Sequence, residues 1–188
     1  MFAAITMNKR QLLLLCICLG LIPFQAALTI RLLPVYAVQL GADPATTGLF
    51  VAFAFLAVTL GNITGGWLAD SIGRRKTILL LSCLVWIPAD LLLTQATTIQ
   101  RLILLIGLVW FPGGIAVAML SIITALSTVA SERGKVFGLT ALASGSGSLL
   151  AGLVGGPIAE RWGFPVLFVV MAAATGVTLL IATFIQDK

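Results

Sequence analysis

The sequence predicts an all-α membrane protein whose single domain, residues 1–188, has six transmembrane helices arranged as a 3+3 inverted repeat. Three features support this fold class: the composition, six long apolar stretches, and an internal repeat. Hydrophobic residues make up 60% of the chain and charged residues 9%, whereas a soluble domain carries roughly 25% charged residues. So few charges cannot form an ordinary solvated surface, so we expect the lipid bilayer to surround the chain.

Each apolar stretch is long enough to cross a bilayer, which requires about 20 helical residues. Turn and charge signals separate the stretches. Asp43 followed by Pro44, for example, is a typical helix start. Pro23 and Pro112 are expected to kink their helices. The six predicted helices cover residues of about 11–36, 45–69, 77–95, 101–130, 135–159 and 164–186.

The basic residues are distributed unevenly between the two sides of this topology. One side carries eight of the eleven: Lys9, Arg10, Arg74, Arg75, Lys76, Arg133, Lys135 and Lys188. The other side carries Arg31, Arg101 and Arg161. By the positive-inside rule, both termini are expected in the cytoplasm, in a multi-pass protein of the cell (inner) membrane.

The internal repeat appears when the chain is shifted by 90 residues. Gly65-Gly66 then falls on Gly155-Gly156, Asp70 on Glu160, and Gly73 on Gly163. Predicted helix 2 therefore matches predicted helix 5, three spans later, so equivalent ends face opposite sides of the membrane. This is the inverted repeat found in many secondary transporters.

The segment 65–76 joins the second and third predicted helices through a basic turn. Asp70 lies at the C-terminal end of a helix, where the helix dipole does not favour an anion. We therefore expect its carboxylate to contact Arg74, Arg75 or Arg133. Gly73 permits the turn because glycine adopts positive φ without a steric penalty.

This segment resembles the loop signature of the major facilitator superfamily, G-x-x-x-D-R-x-G-R-[RK]. The matching positions are Gly66, Asp70, Gly73, Arg74 and Arg75, and Ser71 departs from the pattern. The resemblance implies a gating role for these residues with Arg133. It also implies that the chain is half of a twelve-helix transporter fold, with a secondary active transport function.

Gly152, Gly156 and Pro157 resemble the helix-5 packing motif of the superfamily's exporters, which favours efflux. The motif's final glycine pair is replaced by Glu160 and Arg161. The resemblance also assigns helices 2 and 5 to the contact between halves. Two rows of small residues along helix 5, starting at Ala143 and Ser144, and Gly61 with Gly65 on helix 2, therefore predict an intermolecular interface.

The resemblance places the transport cavity between helices 1 and 4. The polar or aromatic candidates there are Gln25, Thr29, Arg31, Trp110, Ser121 and Thr124. Arg31 could instead snorkel to the outer surface, and the Ser and Thr hydroxyls could bond their own backbone.

Asp90 completes the candidate cavity set as the only acid well inside a predicted span. Such a group is a functional candidate because it costs about 2.5–3.5 kcal/mol when central. Two alternatives are open: Asp90 pairs with Arg31, or it reaches the outer interface past Pro88.

The sequence excludes several other functional classes. It contains no histidine, and its three cysteines lie separately in apolar stretches, so we expect no catalytic residues, metal or cofactor, and no enzyme activity. Its basic residues lie in short loops and do not indicate nucleic-acid binding. We expect a transporter of a small-molecule solute that acts with a second six-helix half or as a homodimer. The alternative is a non-transporting truncated remnant or membrane assembly partner.

The orientation can be tested by cysteine labelling in a variant that lacks the native cysteines. A cysteine at position 74 should react with an impermeant reagent only from the cytoplasmic side, and one at position 42 only from outside. Labelling of position 42 from the cytoplasm would contradict the assignment.

Overall fold

The computed structural model describes residues 7–187, and these residues form a bundle of long helices without strands. The helices are α1 (Lys9–Gln39), α2 (Pro44–Ile72), α3 (Arg75–Leu92), α4 (Ile99–Leu126) and α5 (Arg133–Ala182), with short 3₁₀ turns at Leu93–Gln95 and Ala130–Glu132. All five helices of this described part are long and apolar enough to cross a membrane. The all-helical membrane class is thereby confirmed.

The start and end of α2 follow from its local sequence. Asp43 accepts a hydrogen bond of 2.8 Å from the Thr46 amide, which satisfies one of the free N–H groups at the helix start. Hydrogen bonds with Thr46 also hold the pKa of the exposed Asp43 carboxyl below its usual range. At the other end, Gly73 has φ of 69° and donates its N–H to the Ala69 carbonyl, so the predicted glycine turn is present.

Prolines do not end the helices that contain them. α1 continues through Pro23 and Pro34, and α4 continues through Pro112. Neighbouring helices in a packed bundle can accommodate the missing backbone hydrogen bond.

The predicted loop at residues 160–163 is not present. Helix α5 consists of two helical segments joined at a kink in this region, and Gly163 is the one non-helical residue between them, with φ of 80° and ψ of 170°. Pro165 suits the first turn of a new helical segment because the N–H it lacks would have no partner there. Gly163 alone therefore replaces the expected four-residue loop. The described residues form five α-helices where the sequence predicted six.

The chain reverses its direction at Gly163. Before Gly163, α5 runs parallel to α1, because its contacts move to later residues of α1, from Gly147 beside Gly20 to Gly155 beside Leu28. After Gly163, α5 runs antiparallel to α1, because its contacts move back to earlier residues of α1. They run from Phe164 against Tyr36, through Thr175 with Gln25, to Gln186 with Gln11.

Close backbone contacts at glycines hold the main helix pairs together. A Cβ atom at Gly147 would overlap the Gly20 carbonyl oxygen, and one at Gly61 would overlap the Phe111 carbonyl oxygen. These contacts bring α5 against α1 and α2 against α4, the two most extensive pairings in the bundle. Gly65 likewise lies against Ala118 of α4.

These contacts correct the expectation of an intermolecular surface for the helix-2 glycines and for one of the two small-residue rows of predicted helix 5. Gly61 and Gly65 are occupied by α4, and the row through Gly147, Ala151 and Gly155 is buried against α1. Small residues draw helices together wherever a neighbour is available, and here the neighbour is in the same chain.

We expect Gly147→Ala to destabilise the bundle by about 1–3 kcal/mol, because the added methyl group meets backbone that cannot rotate away. The matched control is Gly145→Ala, two residues earlier on the same helix, where a Cβ meets nothing within 4 Å. Unfolding in mild detergent measures both variants. Equal stability of the two would contradict the proposed packing.

Candidate functional site

A buried polar cluster joins three helices at the centre of the bundle. Asp90 of α3 is fully buried, and its Oδ2 accepts a hydrogen bond of 2.6 Å from Gln25 Nε2 of α1. Thr175 of α5 lies 2.7 Å from Gln25 Oε1 and 3.0 Å from Asp90 Oδ2 through its hydroxyl oxygen. Polar groups in an apolar interior need such partners, so the cluster fixes the relative positions of α1, α3 and α5.

Both predicted alternatives for Asp90 are wrong. Its side chain has no exposed surface, so it does not reach the outer interface. Arg31 is exposed and donates to the Ser148 carbonyl oxygen at 3.3 Å. The guanidinium therefore lies over α5, where a Cβ at Gly152 would meet it.

A small cavity lies beside this cluster, between α1, α2, α3 and α4. Its volume is about 50 Å³ and its lining is apolar apart from three side chains: Thr29, Trp86 and Trp110. Trp86 stands one helical turn before Asp90 and faces the carboxyl, although neither its Nε1 nor Asp90 Oδ1 has a partner within hydrogen-bonding geometry. Trp110 Nε1 is also buried without a partner among the described residues.

The other cavity candidates of the sequence analysis play smaller parts. Thr29 is buried and donates to the Gln25 carbonyl at 2.9 Å, and Thr124 donates to the Leu120 carbonyl at 2.7 Å. Both hydroxyls thus bond their own helix, as the backbone alternative predicted. Ser121 is partly buried and lies outside this cavity.

The basic turn of segment 65–76, with Arg133, is the region for which the family resemblance implies a gating role, and its charged residues lie at one end of the bundle. Asp70, Arg74 and Arg133 are exposed, and the carboxylate of Asp70 makes no ion pair or hydrogen bond within residues 7–187. The expected contact of Asp70 with Arg74, Arg75 or Arg133 is therefore absent from this conformation. Gly66 also has open space around it.

Asp187 occupies the position beside this loop that was expected of Asp70. Its Oδ2 accepts a 2.9 Å hydrogen bond from the Lys76 amide, and its Oδ1 lies 3.8 Å from Arg75 Nη1. Arg74, at the start of α3, provides no side-chain cap, so a carboxylate from the far end of the chain stabilises this positive helix end. Gln186 and Gln11 reinforce the contact with two reciprocal hydrogen bonds of 3.0 Å.

Three residues of these sites escaped the sequence analysis. Trp86 could have been found from its helical spacing of four from Asp90. Thr175 resembles the neighbouring Thr178, and nothing in the sequence distinguishes them. Asp187 lies 111 residues from the amide that it caps. No group of three potential metal ligands occurs in the part of the chain that the structure describes.

Comparison with known proteins places this architecture. A sequence model described as Major Facilitator Superfamily matches residues 15–188. The chain belongs to the Major Facilitator Superfamily. It is accordingly an integral, multi-pass membrane protein of a transporter family.

Curated relatives in this superfamily share less than a third of their aligned residues with the chain. The chain is 29% identical over 164 residues to the multidrug resistance protein MdtG of Klebsiella pneumoniae, covering 85% of this chain and 39% of that protein. It is 30% identical over 163 residues to MdtG of Citrobacter koseri, covering 84% and 40%. The chain thus spans about two fifths of the length of these relatives.

Solved structures share the fold. A peptide transporter POT in complex with sulfate has a TM-score of 0.83 at 20% identity, covering 93% of this chain and 37% of that one. A D-xylose-proton symporter has a TM-score of 0.78 at 16% identity, covering 95% and 48%. At this level of identity the likeness establishes the fold alone.

We expect Asp187→Ala to expose the start of α3. Loss of a capping carboxylate costs about 1 kcal/mol, which corresponds to roughly fivefold faster exchange of the protecting amide. Hydrogen–deuterium exchange at Lys76 measures this. The control Asp70→Ala removes an exposed acid from the other side of the turn and should leave that amide unchanged. Equal exchange in the two variants would contradict the cap.

Proposed function

We propose that the chain is one six-helix half of a secondary transporter, which moves a small solute by alternating access against a second six-helix unit. The observation that carries this proposal is the cavity between α1, α2, α3 and α4. A chain that spans about two fifths of its relatives would supply one wall of a central pathway. The second unit, a further copy of the chain or a separate half, would supply the other.

The proposal requires six spans, and the geometry of α5 favours them. Its 50 residues would measure about 75 Å as one straight helix, more than twice the roughly 30 Å of hydrocarbon in a bilayer. The reversal at Gly163 instead divides it into two segments, each long enough to cross.

The helix contacts also favour a 3+3 inverted repeat. The contacts of α1 with the first segment of α5 show that these two helices run parallel. Helices α2 and α4 are also parallel, because their contacts run from Phe53 with Gly107 to Gly65 with Ala118. Exchanging helices 1 with 4 and 2 with 5 interchanges these two parallel pairs, as an inverted repeat requires.

The cavity lining favours an uncharged and largely apolar solute. Trp86 and Trp110 each have an indole N–H without a hydrogen-bond partner in the described part of the chain, and an indole nitrogen donates but does not accept. A solute with a hydrogen-bond acceptor would satisfy either donor, since ligand sites combine apolar walls with a few placed polar groups. The names of the MdtG relatives favour export as the direction.

In this proposal the gating loop acts through Asp70. The carboxylate is exposed at the C-terminal end of α2, where its own helix dipole does not favour it. A helix N-terminus of the second unit would stabilise it in one transport state, with Gly66, Gly73, Arg74, Arg75 and Arg133 around the contact. The positive-inside bias of the sequence puts this loop in the cytoplasm.

We expect Trp110→Phe to weaken transport of a neutral fluorescent dye by proteoliposomes that contain the chain. Loss of the indole donor removes about 1 kcal/mol of binding and raises KM roughly fivefold. The matched control Trp162→Phe changes an exposed tryptophan outside the cavity and should behave as the parent protein does. Asp70→Asn, in the same assay, should slow flux at unchanged KM.

Two results would contradict this account. Equal KM in Trp110→Phe and Trp162→Phe would remove the cavity from the pathway. Absence of flux from folded, membrane-inserted protein would favour the truncated remnant or assembly partner.

A further inference from the structure

The Asp90 carboxyl has no positively charged partner among residues 7–187. The side chains that face it are Gln25 from α1, Thr175 from α5 and Trp86 from its own helix. The one basic side chain in mid-α1, Arg31, is bonded to the Ser148 carbonyl. An isolated carboxylate in an apolar interior is very costly, and such groups exist in the neutral form or with a partner.

Other ionisable groups on the surrounding elements have different surroundings. Cys18 of α1 lies against the Thr178 carbonyl, and Tyr36 donates to the Ala96 carbonyl. Cys83 lies about two turns before Asp90 on α3. Residues 102–126 of α4 and 164–182 of α5 contain no acidic, basic, cysteine or tyrosine residue.

The three polar side chains of the cluster all lie within hydrogen-bond distance of one another. Three short contacts form a closed ring: Gln25 Nε2 to Asp90 Oδ2, Asp90 Oδ2 to the Thr175 hydroxyl, and that hydroxyl to Gln25 Oε1. With an ionised Asp90, the amide supplies one hydrogen to the ring and the hydroxyl only one. The single hydrogen of the hydroxyl is then shared among Asp90 Oδ2, Gln25 Oε1 and the Met171 carbonyl oxygen, which lies 3.2 Å from the hydroxyl oxygen, so one contact of the ring lacks a hydrogen of its own.

One added proton completes the ring. A proton on Asp90 Oδ2 is donated to the Thr175 oxygen, the Thr175 hydroxyl donates to Gln25 Oε1, and the Gln25 amide donates to Oδ2. Each contact then contains one hydrogen, and the buried cluster is neutral.

We propose that Asp90, Gln25 and Thr175 form a proton-binding site that ties α1, α3 and α5 together when it is occupied. Loss of the proton leaves one contact without a hydrogen and places a charge where no cation faces it. Water can reach that charge only if the three helices separate, so proton release is linked to a change in their packing. A role of this proton as the coupling ion of transport rests on the proposed function. Proton binding at Asp90 does not depend on that function.

Infrared spectroscopy of the purified protein at neutral pH tests the site directly. A buried carboxylic acid gives a C=O stretching band that an ionised carboxylate lacks. We expect this band in the parent protein and in the control Glu160→Gln, which alters an exposed acid, and its loss in Asp90→Asn. A spectrum of Asp90→Asn that matches the control would overturn the site.

Thr175→Val provides a second test should Asp90→Asn fail to fold. Valine keeps the shape of threonine but removes the hydroxyl that receives the proton, so the carboxylic acid band should shift. An unchanged band position would overturn the hydrogen-bonded ring.

Transport separates this inference from the proposed function. We expect an imposed pH gradient to drive dye flux in the parent protein and not in Asp90→Asn. Equal gradient-driven flux in both would overturn the coupling role of the proton. Presence of the Asp90 band without flux under any condition would contradict the proposed function and still support the proton site.

Discussion

Backbone contact at glycines is the constraint on which the rest of this bundle depends. At Gly147 and Gly61, a neighbouring carbonyl oxygen occupies the space where a side chain would begin. In a bilayer, helices gain little from burying apolar surface, because lipid tails are equally apolar, so close van der Waals contact holds them together. These two contacts define the pairs α1 with α5 and α2 with α4.

The polar interior depends on this close packing. Asp90, Gln25 and Thr175 come from three helices and meet only because those helices approach closely enough to exclude lipid and water. A cluster of charged residues, in contrast, lies at one end of the bundle, where Asp187 contacts Lys76 and Arg75 at the start of α3. The molecule thus separates a neutral, hydrogen-bonded centre from a charged rim.

Hydropathy and local turn chemistry made much of the fold predictable. The uncharged stretches locate the helices to within a few residues, and the Asp43 cap and the Gly73 turn are both present. The charged residues of segment 160–163 predicted a loop, whereas only Gly163 departs from helical geometry there. Composition does not reveal how few residues a reversal needs.

The candidate site was predictable in part, for a physical reason. A buried acid stands out in an apolar sequence, so Asp90 and Gln25 were both found, but their pairing depends on the rotation of each helix about its axis. The sequence has too weak an apolar–polar contrast to define that rotation when lipid surrounds the chain. For the same reason the row through Gly147 and the glycines of α2 could not be assigned to an internal rather than an external neighbour.

The reactivity of two single cysteines on α5 tests the internal packing most directly. Both substitutions, Ala151→Cys and Ser146→Cys, are made in protein that lacks the native cysteines, and each places one thiol on α5. The side chain of Ala151 is 2% exposed, whereas that of Ser146 is exposed. The account predicts that a lipid-soluble maleimide modifies position 146 readily in the detergent-solubilised monomer, while position 151 is protected by α1. Equal reactivity at the two positions would contradict it.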